Sequence, residues 1–104
     1  MNTNDSAFRV LIHAPSSTSL ARARNNAANI LRDRPDAQVR IVVNADGVAA
    51  ALDAPHPDTD NLLLLCANTL RKTERKAPAA YQTVPSAAIA LVTLQQEGWI
   101  YIRA

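Results

Sequence analysis

Cys66 is the only cysteine of this 104-residue chain, and it stands inside Asn61 to Lys72, NLLLLCANTLRK. Four leucines, Leu62 to Leu65, run into it. Ala67, Asn68 and Thr69 follow, and then a short basic helical pattern begins. An apolar run bounded by a turn signal reads as a strand buried on both faces. That reading puts Cys66 at a strand's carboxyl end, under the start of a helix. The thiolate is the nucleophilic form of cysteine, and a helix N-terminus favours it. The amides of Asn68 and Thr69 would face any anion held there. Arg71, Lys72, Arg75 and Lys76 add positive potential one to two turns further on, where salt screens most of it. The chemistry on offer is attack by one sulfur, since a lone cysteine excludes an internal disulfide and a CxxC redox or zinc site. The same pattern also suits a plain core cysteine, a small hydrophobe closing a leucine strand.

Other side chains could serve such a site. His13 ends the first apolar stretch and could give or take a proton near neutral pH, or be a hydrogen-bonded strand end. Asn44, Asp46 and Gly47 lie in an Asn-x-Asp-Gly segment that could hold a polar ligand or simply turn the chain. His56 sits among Asp53, Asp58 and Asp60 without a recognised ligand spacing. It reads as part of a solvated acidic loop, and no metal is assigned. Trp99 and Tyr101 alternate on one face of the last strand, as core or interface residues do. The chain has two glycines, Gly47 and Gly98, so it carries no GxGxxG and no P-loop. A GxSxG elbow and an HExxH helix are also missing. No cofactor is expected.

Composition narrows the function classes. The net charge is +2, the eleven basic residues are dispersed, and one Trp, two Tyr and one Phe accompany them. That is neither a basic stripe nor a stacking platform, so nucleic acid is not an expected partner. No apolar run approaches the roughly 18 residues of a membrane span. Met1 to Ser6 is polar, unlike a signal peptide, and is expected to be disordered. A cytoplasmic location fits the single thiol. With 48% hydrophobic residues, residues 7–104 can form a single domain with a small core.

The elements that must position these residues follow from periodicity. Phe8 to His13 reads as the first strand. A helix capped by Ser16, Ser17 or Thr18 runs to about Asp33, with Leu20, Ala23, Ala27, Ile30 and Leu31 on one face. Gln38 to Val43 is a β-branched second strand. Val48 to Leu52 suits a short helix, and Asp53 to Asp60 a proline-rich loop. Leu62 to Cys66 is the third strand, and Asn68 to about Lys76 a helix ended by Pro78. Tyr81 to Val84 is a short fourth strand. Ala87 to Leu94 is a helix apolar nearly all round, as at a subunit interface, closed by Gly98. Trp99 to Arg103 is the last strand. Alternating strands and helices make a mainly parallel sheet covered on both faces. Parallel strands would gather His13, Asn44, Asp46 and Cys66 on one rim, where ligands of such sheets bind.

Five stretches carry a resemblance. They are VLIH (Val10 to His13), RNNAANIL (Arg24 to Leu31), IVVNADGV (Ile41 to Val48), CANTLRK (Cys66 to Lys72) and VPSAAIALVTLQQEGWIYI (Val84 to Ile102). Through them, from about Arg9 to Arg103, the chain resembles the DsrE/DsrF-like family of small sulfur-relay proteins. The resemblance implies a three-layer α/β/α domain with a mostly parallel five-stranded sheet. It also implies a homo-oligomer, as a dimer, trimer or hexamer. Between Leu52 and Asn61 a proline-rich loop replaces a helix that many relatives have. In characterised members a cysteine at the position of Cys66 carries a persulfide. The expected function is therefore that of a sulfur carrier between donor and acceptor proteins. Cys66 would be the sulfur-bearing nucleophile and His13 its proton partner, with Asn44, Asp46, Asn68 and Thr69 binding the substrate. The alternative is a non-catalytic oligomeric scaffold of the same fold with Cys66 buried.

Overall fold

The computed structural model describes residues 8–104; the expectation for the first six residues falls outside them. In chain order the elements are β1 (Arg9–Ala14), α1 (Ser17–Asp33), β2 (Gln38–Val43) and α2 (Asp46–Asp53). They continue with a 3₁₀ turn (Asp60–Leu62), β3 (Leu63–Cys66), α3 (Ala67–Lys72), β4 (Gln82–Val84), α4 (Ala87–Gln96) and β5 (Ile100–Arg103). The five strands form one sheet in the order β4-β3-β2-β1-β5. Every pairing is parallel, so the sheet is wholly parallel.

Strand order dictates where the helices go. The chain steps from β1 to β2 to β3 to β4 in one direction, and right-handed crossovers then place α1, α2 and α3 on the same face. The step from β4 to β5 runs back across the whole sheet, so α4 must lie on the opposite face. The two buried clusters match this. Val10, Ile12, Val39, Ile41, Val43, Leu63 and Leu65 face Leu20, Ala23 and Ala27 of α1, Val48 and Ala51 of α2, and Leu70 of α3. On the other face Leu11, Val42, Cys66 and Ala87 are buried together, with Leu64, Leu91, Leu94 and Trp99 against them. The result is three layers, α/β/α, with the second face covered by a single helix.

Local chemistry fixes the helix ends. Ser16, among the three capping candidates, is the N-cap of α1: its Oγ accepts from the Ser19 amide at 3.1 Å, and Ser19 Oγ accepts from the Ser16 amide at 2.9 Å. Gly98, at φ 98°, closes α4 as expected. Its amide bonds the Gln95 carbonyl and that of Trp99 bonds the Leu94 carbonyl, the paired closure of a Schellman motif.

Several boundaries differ from the sequence reading, most by one or two residues. The helix α2 begins at Asp46 rather than Val48, so Asp46 and Gly47 form its first turn. Leu62 belongs to the 3₁₀ turn, not to β3. The helix α3 stops at Lys72, well before Pro78. Glu74 turns left-handed at φ 56°, which ends the helical path, and the Arg75 amide reaches back to the Leu70 carbonyl at 2.9 Å. Among the described residues no helix is long and apolar enough to cross a membrane.

Candidate functional site

The helix following β3 lies on one face of the sheet, and the helix following β4 lies on the other. At such a divergence a crevice opens beyond the strand ends. Cys66 is the last residue of β3, and it pairs with Val84, the last of β4. Its sulfur therefore sits between the starts of α3 and α4. From the α4 side the Ala87 amide donates to Cys66 Sγ at 3.4 Å. From the α3 side the Thr69 and Asn68 amides and the Thr69 hydroxyl lie near enough to favour the thiolate.

These donors decide the state of the thiol. Cys66 is 5% exposed. Burial pushes its pKa up, but the hydrogen bonds from the Thr69 amide, the Ala87 amide, the Thr69 hydroxyl and the Asn68 amide together outweigh it. The thiol is held below its ordinary value. A merely apolar niche would do the reverse.

The Thr69 hydroxyl is also tied to α2. Its oxygen accepts the Ala45 amide at 3.2 Å, which leaves its single proton free to donate. Ala45 supplies that amide from φ 49°, ψ −139°, a backbone state a residue with a Cβ adopts at a cost of about 1–3 kcal/mol. Replacing Thr69 by valine removes one donor to the sulfur and the acceptor for Ala45. Losing a hydrogen bond of about 0.5–1.5 kcal/mol should slow Cys66 alkylation at pH 7 about 2- to 10-fold. The limiting rate at high pH should stay unchanged. In the native protein the alkylation rate should reach half its limit below the roughly pH 8.5 of a free thiol. Iodoacetamide kinetics across pH check both.

The remaining candidates divide. His13 and Asn44 meet: His13 Nε2 lies 3.1 Å from Asn44 Oδ1. The other ring nitrogen, Nδ1, lies 3.2 Å from the Tyr101 hydroxyl. With both nitrogens engaged, the imidazole makes no hydrogen bond to Cys66. Asn44 follows Val43, which pairs with Leu65, so it stands beside Cys66 at the rim. Asp46 is exposed in the first turn of α2, where its charge suits the helix N-terminus. Its carboxylate joins no hydrogen bond with His13, Asn44 or Cys66. The Asn68 side chain accepts from Arg71 Nη2, so its contribution to the thiol comes from the backbone. Arg75, expected to add potential along α3, instead pairs with Asp53 at 2.7 Å.

Two residues escaped the sequence reading. Tyr101 reaches His13 because β5 lies beside β1, which its alternation with Trp99 did not reveal. Arg24 was an unremarked member of α1, yet it is 8% exposed. Its Nη1 donates to Thr59 Oγ1 at 2.5 Å and lies 3.0 Å from Asp60 Oδ1. This turns the supposedly solvated acidic loop inward at its last acid. Among the described residues no group of three His, Cys, Asp or Glu side chains converges as metal ligands do.

The fold recurs elsewhere. The chain is similar to the solved structure of MTH1491 from Methanobacterium thermoautotrophicum, a protein of unknown function, with a TM-score of 0.79 and 24% sequence identity. The match covers 93% of this chain and 99% of that one. At that identity the likeness shows a shared architecture. No protein-family model matches the chain, and no curated protein matches it.

Proposed function

We propose that this chain is a sulfur carrier, with Cys66 as the atom that receives and releases sulfane sulfur. The observation that carries the proposal is the place of the Cys66 sulfur between two diverging helices, bonded by the Ala87 amide at the start of α4 and held below its ordinary pKa with the help of the Thr69 and Asn68 amides and the Thr69 hydroxyl of α3. The resemblance of CANTLRK and the carboxy-terminal stretch to DsrE/DsrF-like proteins supports the same reading. The Cys66 thiolate attacks the outer sulfur of a donor persulfide, R–S–SH. The donor's S–S bond breaks, R–S⁻ leaves, and Cys66 holds the sulfur as Cys–S–SH. An acceptor thiolate then attacks that outer sulfur, and Cys66 leaves as the thiolate that the donors stabilise. No net oxidation occurs, and no second cysteine is required.

With 5% of its surface exposed, Cys66 takes sulfur only from a donor whose terminal atom enters between the starts of α3 and α4. Small persulfides and polysulfides fit that requirement. The same burial, with Ile89 and Val92 of α4 65% and 53% exposed, favours a second reading. In it the chain is an oligomeric scaffold that uses α4 as its interface and leaves Cys66 unreacted.

Intact-mass measurement after incubation with polysulfide separates the two. A carrier gains 1 sulfur atom (about 32 Da) that is removed by a thiol and absent from Cys66→Ser. No addition, or the same addition in Cys66→Ser, supports the scaffold reading and ends the carrier one.

A further inference from the structure

Arg24 engages one corner of its guanidinium and leaves the other edge without a partner. Nη1 serves both Thr59 Oγ1 at 2.5 Å and Asp60 Oδ1 at 3.0 Å. Nη2 is buried with no hydrogen-bond partner, and Nε bonds no group among the described residues. Nε–H and Nη2–H point the same way and form the side-on edge that fits the two oxygens of a carboxylate. Arg34 shows that edge in use: its Nε and Nη2 each donate to one oxygen of Asp36 at 3.2 Å. In Arg24 the same edge lies within the protein, since the residue is only 8% exposed. A buried charged donor without an acceptor is costly, so a ligand that supplies one is favoured.

Two hollows meet at this side chain. One, of about 350 Å³, lies between α1 and α2; the other, of about 310 Å³, lies between α1 and the proline loop. Arg24, Asn25 and His56 line both. Leu20, Ala21, Ala50 and Ala54 make the walls of the first largely apolar, and among the described residues no carboxylate lines it. Asp58 lines the second. These surroundings select the ligand. The apolar walls suit a short hydrocarbon body beside the charged group. Asp60 already stands against Arg24 and Asp58 flanks the loop side, so a second negative charge on the ligand would meet repulsion.

We infer that the Nε–Nη2 edge of Arg24 binds a short-chain aliphatic monocarboxylate, whose hydrocarbon body occupies the hollow between α1 and α2. Because Nη2 is buried, full engagement displaces the proline loop, whose residues 53–58 are exposed. The site belongs to the α1 face of the sheet, opposite the face that buries Cys66, so it is independent of the carrier reading.

Titration with butanoate at constant ionic strength, followed by NMR, tests this. The Arg24 Nε–H resonance and the Asn25 and His56 amides should shift saturably. Butanol, which is neutral, and inorganic phosphate should each bind at least about 10-fold more weakly. Arg24→Lys keeps a charge against Asp60 but has no such edge, so butanoate affinity should fall at least about 10-fold. Ala21→Trp fills the hollow from an exposed position of α1 and should abolish binding with the melting temperature nearly unchanged. That variant decides the matter if Arg24→Lys does not fold. Cys66→Ser should bind butanoate as the native chain does, which keeps this result apart from sulfur loading. No saturable shift in the native chain overturns the inference. So does an equal response to phosphate or butanol, or undiminished binding in Ala21→Trp.

Discussion

Replacing Arg24 by alanine is expected to lower the stability of the fold by about 3–5 kcal/mol. For a domain of this length that lowers the melting temperature by at least about 12 °C, readable by circular dichroism. Arg24 comes from the middle of α1 and is 8% exposed; Asp60, at 21%, is also largely withdrawn from water. Burying two charges is costly, and only their proximity and further hydrogen bonds offset it. Asp60 is supplied on one oxygen: its Oδ2 accepts from the His56 amide at 3.0 Å and from the Tyr81 hydroxyl at 3.2 Å, while its buried Oδ1 has the Arg24 ion pair but no hydrogen bond. Burial and the Asp60 charge both raise the pKa of Tyr81, which keeps that hydroxyl a donor. Removing Arg24 would leave a carboxylate without its counter-charge and Thr59 without its donor. The pair also ties the proline loop to α1, so the loss extends beyond one bond. Asp60→Asn should cost nearly as much alone, because it strands the guanidinium. Arg24→Met combined with Asp60→Asn should cost clearly less than the sum of the single changes, since neither charge then remains buried. Additive costs would show that the two side chains do not act together.

Gly47→Ala is expected to cost about 3 kcal/mol, and to act on the site as well as on the fold. A Cβ at Gly47 would stand 2.5 Å from the Ala14 carbonyl oxygen and 2.9 Å from Val43 Cγ1. Neither contact is the loose end of a flexible chain: one is backbone at the end of β1, the other a buried core methyl. The start of α2 must therefore move off the strand ends. Ala45 precedes Gly47 by two residues and carries the amide that bonds the Thr69 hydroxyl oxygen beside Cys66. Displacing α2 should release that hydroxyl, so Cys66 alkylation at pH 7 should slow along with the drop in melting temperature. Slower alkylation without a drop, or a drop with native alkylation, would contradict the close packing of α2 on β1 as the link between them.

The core was readable from the residues because burial leaves a periodic trace. Val10 and Ile12, then Ile41 and Val43, alternate within their strands, and Leu20, Ala23 and Ala27 recur at helical spacing. The wholly parallel sheet follows from helices placed between successive strands. The placement of Cys66 at a strand end under a helix start was readable for the same reason, since an apolar run and a capping segment are both local. The early stop of α3 was not. A left-handed residue at Glu74 has no side-chain signature, and Pro78 was the more visible breaker. Arg24 was equally hidden, because an arginine within an amphipathic helix reads as solvated until a partner such as Asp60 is known to lie beneath it.

Residue patterns alone established five strands, the intervening helices, their buried faces and a thiol at the end of β3. They hold no information on which strands become neighbours, because alternation within a strand is the same whatever lies beside it. The order β4-β3-β2-β1-β5 came from the folded chain. That order sets α4 against α3 around Cys66, brings His13 to Asn44, and places Tyr101 against His13 across 88 residues of sequence. Contacts over such separations depend on how crossovers pack against the whole sheet, which no window of neighbouring residues contains.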